Sequence, residues 1–280
     1  MKKLKELAKQ HADHMVSYNP TEEASLDLER ALEIYSSIGT RIGKIGNLYK
    51  AHENGEYAFS DDNALMGILA KLLGFDDDAS RIYEELHGWE NNGLVRTIKS
   101  TNVYRTDANA YYSIFCTAMG KSKEAKKSRG AICSEIGKLS NGLYADRLVE
   151  YMGGYRYSGG SGKTIHNAAM AALEATLGHG ESIVLYKKIG DSIGRDGKLY
   201  LSTQDSFEKC EDNAAMMVAC ELVGKEEEAS EIFDSLEEIY GTGCLLKSSV
   251  NTGPSTKESA LAGIYHCLRG GKRLGKWKKG

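Results

Sequence analysis

The feature that most constrains this chain is that it writes one helix several times. Asp61 to Gly74 reads DDNALMGILAKLLG, and Glu211 to Gly224 reads EDNAAMMVACELVG. Alanine followed ten residues later by glycine recurs as Ala64/Gly74, Ala110/Gly120, Ala168/Gly178, Ala214/Gly224 and Ala260/Gly270. Asn63, Asn109, Asn167, Asn213 and Ser259 stand immediately before these alanines, and successive copies are 46, 58, 46 and 46 residues apart. A period of this size marks stacked supersecondary units, since one such unit cannot bury its apolar face alone.

Each copy predicts a short, strongly apolar helix. Asp, Asn or Ser at its start is expected to cap open N–H groups, and the closing glycine to take the left-handed conformation. A second helix follows within a few residues. In DDASRIYEEL the apolar positions Ala79, Ile82, Tyr83 and Leu86 fall at i, i+3, i+4 and i+7. Ala229, Ile232, Phe233 and Leu236 repeat that stripe, as do Ala31, Ile34, Tyr35 and Ile38 upstream. These are one-sided amphipathic helices, apolar inward and charged outward. After each comes a Gly/Asn and Leu signal, at Leu48, Leu94, Leu143, Leu199 and Leu245.

The unit is therefore buried helix, tight turn, surface helix and long loop. The copies centre near 64–94, 110–143, 168–199, 214–245 and 260–270, and an extra N-terminal helix is expected over 3–16. Short and long connections alternate, so all long loops gather at one end, above the starts of the buried helices. A closed ring satisfies this arrangement: an all-α (α/α)6 toroid forming a single domain over 1–280, with one outer helix missing and the N-terminal helix closing the ring. An open solenoid of helical hairpins is the alternative.

At this point the pattern resembles the six-hairpin glycosidases, and among them the glucoamylase-like toroids. The likeness is carried by FEKCEDNAAMMVACELVGKEEEASEIFDSLEEIYGTGCLL, with its inner helix, glycine turn, "EA" outer helix and Gly–Leu loop, and extends over Ala31 to Gly270 as rhythm. The resemblance implies an active site at the N-terminal mouth of the inner helices and glycoside hydrolysis by general acid and base. The chain departs from that family at GCLLKSS, where it has no acid, and has tryptophan only at Trp89 and Trp277. Protein prenyltransferases and terpenoid cyclases have a similar double ring, so an isoprenoid-binding toroid is a further alternative. A non-catalytic toroid that binds a ligand or a protein, its acids serving only as caps, is another.

The mouth of such a ring collects Asp61, Asp62, Asp107, His166, Glu211, Asp212 and Glu258, each within three residues before a repeat alanine. In a six-membered ring the helices of Asp62 and Asp212 face each other, and so do those of Asp107 and Glu258. Asp62, Asp107, Asp212 and Glu258 are thus the candidate catalytic acids, because inverting glycosidases need two carboxyls separated by room for water. The loop YMGGYRYSGGSGKTIHNA accounts for the long spacing. It supplies Tyr155, Arg156, Tyr157, Lys163 and His166, which with Tyr144 are the candidate substrate-binding residues.

SGGSGKT within that loop is not a nucleotide P-loop, because Tyr157 stands where the motif needs its first glycine. Lys163 with backbone N–H groups at a helix start is nevertheless suited to a phosphate or carboxylate. Six residues after each repeat alanine stand Ala70, Cys116, Glu174, Cys220 and His266, which would place metal-ligand types at one depth if they faced the lumen. No metal and no cofactor is expected.

With a net charge of −3, the sequence offers no general attraction to nucleic acid or acidic membranes. The charged start MKKLKELAKQHADHM lacks the apolar core of a signal peptide, and the six cysteines form no CxxC pair. A cytoplasmic protein acting on a small molecule or oligosaccharide is the expectation, with its oligomeric state open.

Overall fold

The computed structural model describes residues 21–151, 156–204, 206–249 and 253–274. The helix expected over 3–16 and Tyr155 lie outside the described residues. Ten α-helices follow in strict inner–outer alternation. The inner set is α2 (Ser60–Leu73), α4 (Thr106–Ala118), α6 (Thr164–Thr176), α8 (Cys210–Leu222) and α10 (Thr256–Arg269). The outer set is α1 (Glu22–Ser37), α3 (Asp76–His87), α5 (Ser122–Ala131), α7 (Glu181–Ser192) and α9 (Glu226–Tyr240).

The inner helices bury nearly every residue, which follows from being packed on all sides. In α2, Lys71 is the only residue that is not buried. The outer helices bury only their stripe: Ala79, Ile82, Tyr83 and Leu86 in α3 are buried with Asp78. The repeat glycines end or follow the inner helices with positive φ at Gly74, Gly120, Gly178 and Gly224, while Gly270 is right-handed and Gly271 takes the positive φ instead.

The Gly/Asn–Leu signal is a feature the all-helical expectation did not anticipate as structure. At Leu48, Leu94, Leu199 and Leu245 it is the second strand of a β-hairpin with a two-residue loop, whereas beside Leu143 only Tyr144 bridges Lys138. Lys44–Ile45 (β1) pairs with Leu48–Tyr49 (β2), Glu90–Asn91 (β3) with Leu94–Val95 (β4), Arg195–Asp196 (β8) with Leu199–Tyr200 (β9), and Gly241–Thr242 (β10) with Leu245–Leu246 (β11). Two-residue loops such as Asn92–Gly93, both at positive φ, match the right-handed twist of paired strands. The longer loops before α4 and α6 add a three-stranded sheet of β5 (Val103–Arg105), β6 (Arg147–Glu150) and β7 (Arg156–Gly159). Its strands β6 and β7 occupy the insertion behind the 58-residue spacing, and β5, which precedes α4, pairs with β6.

The repeat asparagines do not cap their helices. Asn213 accepts a hydrogen bond from the Tyr200 N–H through Oδ1 (2.7 Å) and donates through Nδ2 to the Tyr200 carbonyl (2.9 Å) and the Lys209 carbonyl (3.0 Å). Asn63 clasps Tyr49 in the same way, Asn109 clasps Val95 and Asn167 clasps Tyr144. Ser259 reaches both backbone groups of Leu246 with its single hydroxyl. The asparagine is therefore the bolt that holds each hairpin strand to the next inner helix.

The ring closes. α2, α4, α6, α8 and α10 pack in a circuit, with α10 directly against α2. Gly263 of α10 lies so near Leu69 of α2 that an added Cβ would stand 2.7 Å from its side chain. Hydrogen bonds at the mouth follow the same cycle. The starts of α2, α4, α6 and α8 bond to Thr97, Asp146, Ser202 and Ser249, each in the loop before the next inner helix, and Thr256 of α10 bonds back to Ala51, before α2. The toroid of helical hairpins stands as expected, and in the described residues its inner circuit has five members. After α10 no further helix is described, and α1 from the other end of the chain packs on it. In a circuit of five no two members are diametrically opposed. α2 and α8 are instead both neighbours of α10, and α4 and α10 both neighbours of α2, so the facing-pair argument from six members is replaced by the adjacency described below.

No helix among the described residues is long and apolar enough to cross a membrane.

Candidate active site

Five inner-helix starts and the loops that precede them surround a cavity of about 640 Å³ at the mouth. Asp62, Asp212 and Glu258 line it, as do Tyr157, Lys163 and His166. The residues that precede the five inner helices, Phe59, Arg105, Lys163, Lys209 and Ser255, make no side-chain cap hydrogen bond. Of the first-turn acids, Asp212 accepts a first-turn N–H of the neighbouring α6, that of Ile165, at 2.8 Å.

These acids divide into two groups by their partners. Asp107 lies in the first group, beneath the cavity. Arg105 grips both its oxygens, Nε to Oδ1 at 3.0 Å and Nη2 to Oδ2 at 2.6 Å, and His166 sets Nδ1 3.1 Å from Oδ1. Burial opposes ionisation, but Arg105 and His166 together hold the Asp107 carboxyl well below the usual carboxylate range. Lys257 contacts Asp61 and stands 3.9 Å from Asp107. Its own burial works against its charge, yet Asp61 keeps it firmly protonated. Lys257, Asp61, Arg105, Asp107 and His166 thereby stitch α10, α2, α4 and α6 together around the ring.

The second group faces the cavity. Asp62 is 2% exposed and Asp212 1%, and Oδ2 of each has no hydrogen-bond partner among the described residues. Burial, then the charges of Asp61 and Glu258, pushes the Asp62 carboxyl well above its ordinary range. Burial and Glu211 raise Asp212 as well, although its Oδ1 accepts the Ile165 N–H at 2.8 Å and Ser202 also bonds to it. Glu258 is raised by burial and by Glu211, and accepts from the Ser255 hydroxyl. Asp62, Glu258, Glu211 and Asp212 therefore form a chain of mutually repelling acids along α2, α10 and α8.

The remaining candidates are dispersed. Tyr157, half exposed, and Lys163 and His166 line the cavity. Arg156 does not; it is paired with Glu150 and Glu135 on the outer side of the sheet. Tyr144 is buried beside Cys133 under the Lys138 ammonium, clasped by Asn167, and is a packing residue. The glycine loop binds an anion, but an internal one: the N–H groups of Ser161, Gly162 and Lys163 all donate to the Asp146 carboxylate at 2.9–3.0 Å. The level of Cys116, Glu174, Cys220 and His266 meets the outer layer rather than a lumen. Glu174 is bound by Arg129 and His179, Cys220 donates to Glu228, and His266 bonds to Asp27. Among the described residues no three metal-ligand types converge.

Arg105, Asp146, Arg147, Ser202, Lys209 and Lys257 also belong to the mouth, and the acid-centred sequence argument passed them by. A signal for some was present. The position five before the repeat alanine, which is the residue preceding each inner helix, is basic in three copies: Arg105, Lys163 and Lys209. The charged mouth also weighs against the isoprenoid-binding alternative, which needs an apolar, aromatic lining.

No protein-family model and no curated protein matches the sequence. Solved structures do match the fold. An α-amylase from Clostridium perfringens superposes with a TM-score of 0.57 at 9% identity, covering 86% of this chain and 98% of that one. An α-1,6-mannanase from a Salegentibacter species gives 0.54 at 12% identity, covering 88% and 99%. A family 76 glycoside hydrolase, a mannosidase from Bacteroides thetaiotaomicron, gives 0.51 at 12%, covering 90% and 88%. An inactive variant of the mannanase, with two adjacent aspartates replaced, is described in complex with α-1,6-mannotetrose. The likeness is one of fold: these glycosidases and this chain share an α/α toroid.

Proposed function

We propose that the chain is a glycoside hydrolase whose active site is the mouth cavity. The observation that carries this is the pair Asp62 and Asp212: two buried carboxyls lining one cavity, each with an oxygen that no described group of the protein satisfies. A buried acceptor left open is costly, of order 1–3 kcal/mol, and is retained where a ligand completes it. Sugar hydroxyls and a glycosidic oxygen are suitable partners.

Their environments separate the two roles. Asp62 is pressed hard towards its neutral form by burial, Asp61 and Glu258, which suits a proton donor. Asp212 is raised less, by burial and Glu211, because the Ile165 N–H and Ser202 anchor its Oδ1 and favour its ionised form, which leaves Oδ2 to accept a proton. In the reaction Asp62 protonates the glycosidic oxygen as the bond from the anomeric carbon breaks. Asp212 takes a proton from the water that adds to that carbon. Exchange with solvent then returns Asp62 to its acid form and Asp212 to its carboxylate. Tyr157 and Phe59, both on the cavity wall, offer aromatic surface to a sugar ring. Asp107 serves as the fixed anion under the site rather than as a proton carrier. The glycoside hydrolases among the structural neighbours support the same reaction class.

The test is release of reducing ends from a panel of α- and β-linked oligosaccharides by the wild type, Asp62→Asn and Asp212→Asn. Loss of a general acid or base lowers turnover by roughly 10²–10⁴. No turnover of any glycan by the wild type, or full activity in both variants, ends the proposal.

A further inference from the structure

The cavity carries five cations, Arg105, Arg147, Lys163, Lys209 and Lys257, and they are of two kinds. Arg105 and Lys257 are spent on Asp107 and Asp61 below the floor. Arg147, Lys163 and Lys209 have no ion-pair partner among the described residues. Lys209 lies only over the Phe207 ring, at 5.3 Å.

No salt bridge joins these three to a cavity acid among the described residues. Of the cations, Lys257 and Arg105 weigh most on Asp62, Lys257 on Glu258 and His166 on Asp212. The other carboxylate within reach of Arg147 and Lys163, that of Asp146, is filled by three backbone N–H groups. Arg147 is on β6 beside Asp146 and opposite Gly159, Lys163 immediately precedes α6, and Lys209 immediately precedes α8. α6 and α8 are neighbours in the ring, so Lys163 and Lys209 share one arc of the mouth with Glu211 and Asp212 of α8, while Asp62 and Glu258 occupy the arc of α2 and α10.

A neutral glycan would bring no countercharge to Arg147, Lys163 and Lys209. We propose that the cavity takes a sugar residue bearing an anionic group, a carboxylate or a phosphate, which Arg147, Lys163 and Lys209 hold against the α6–α8 side. This names the substrate class for the hydrolase site proposed above and rests on that reading for the cleavage step, though not for binding. The arrangement also gives a physical reason for the acid arc. An anion held opposite Asp62 adds to the repulsion that keeps its proton in place, so the charged substrate prepares its own general acid.

Titration calorimetry on the intact chain tests the inference. The probes are oligosaccharides of galacturonate, glucuronate and mannuronate, their neutral methyl esters, and mannose 6-phosphate. At least one acidic probe should bind about tenfold or more tighter than its neutral counterpart, roughly 1.4 kcal/mol per tenfold. That advantage should shrink as salt is raised from 0.05 to 0.5 M, where screening shortens to a few ångströms. Lys209→Gln and Arg147→Gln should each weaken the acidic probe by about tenfold. Lys126→Gln, the same charge change on the exposed face of α5, should not.

A preference for carboxylated probes identifies a uronate site, and a preference for the phosphate identifies a phosphosugar site. Equal affinity for acid and ester, absence of binding by every anionic probe, or identical losses in Lys126→Gln overturns the inference. The two proposals fail separately. Cleavage of neutral glycans without anionic preference leaves the hydrolase and removes this inference. Salt-sensitive anionic binding without cleavage of any glycan does the reverse.

Discussion

Replacing Asn213 with alanine tests how the repeat is held together. The side chain makes three hydrogen bonds, two of them to the N–H and C=O of Tyr200, which is 1% exposed. Without Asn213 both backbone groups lose their partner and water has no access to replace it. Orphaning a buried polar group costs ~1–3 kcal/mol, so Asn213→Ala should lose ~2–5 kcal/mol in urea unfolding. For a chain of this size that corresponds to a fall in Tm of roughly 5–15 °C. Asn213→Ser supplies the internal control, since Ser259 reaches both backbone groups of Leu246, at 3.1 and 3.3 Å, with one hydroxyl. It should lose less than half as much. The strand held by Asn213 leads into Ser202 and Lys209 at the cavity, so activity should fall with stability in the alanine variant. A Tm within 2 °C of wild type for Asn213→Ala, or equal losses for serine and alanine, would refute the bolt role.

Four further outcomes follow from the same geometry. Asp62→Asn should be more stable than wild type at neutral pH even as activity disappears. Its raised pKa means that ionising Asp62 penalises the folded state increasingly as pH climbs above the ordinary carboxylate value, so the gain in Tm should grow from pH 4 to pH 7; a gain that shrinks over that range contradicts the assignment. Wild-type kcat should fall on the alkaline side as Asp62 loses its proton, and an acid-only loss of activity would contradict it. Lys257→Met should cost roughly 3–5 kcal/mol in denaturant unfolding, because it strands the Asp61 charge in a buried site. Gly263→Ala should cost ~1–3 kcal/mol through its clash with Leu69 at the α10–α2 seam, with partial rescue by Leu69→Ala; no loss would question the closure of the ring there.

The period of the sequence made the hairpins and the gathering of long loops legible, because apolar spacing reports directly on which face is buried. Ring size was not legible in the same way. A count of helices gives the number of elements, whereas the circuit is fixed by contacts between Gly263 and Leu69 and between Thr256 and Ala51, which lie far apart in sequence. The acids at the mouth were visible as positions, but their division was not. Asp62 and Asp107 have the same residue type at nearly the same place in their helices, and Arg105, two residues from Asp107, with His166 of α6 pins one and leaves the other open. Asn63 and its equivalents illustrate the opposite case: asparagine at a helix start suggests a cap, and the competing demand of a buried hairpin backbone wins. Tyr144 and Arg156 were drawn towards the site by the aromatic loop and are claimed instead by Asn167 with Cys133 and by Glu150.

The most direct measurement is a crystal structure of Asp62→Asn saturated with an oligosaccharide. The account predicts the sugar in the mouth cavity, with a glycosidic oxygen within roughly 2.6–3.2 Å of the substituted side chain and Asp212 across the scissile bond. A sugar bound elsewhere on the ring, or a mouth filled only by solvent at saturation, would contradict it.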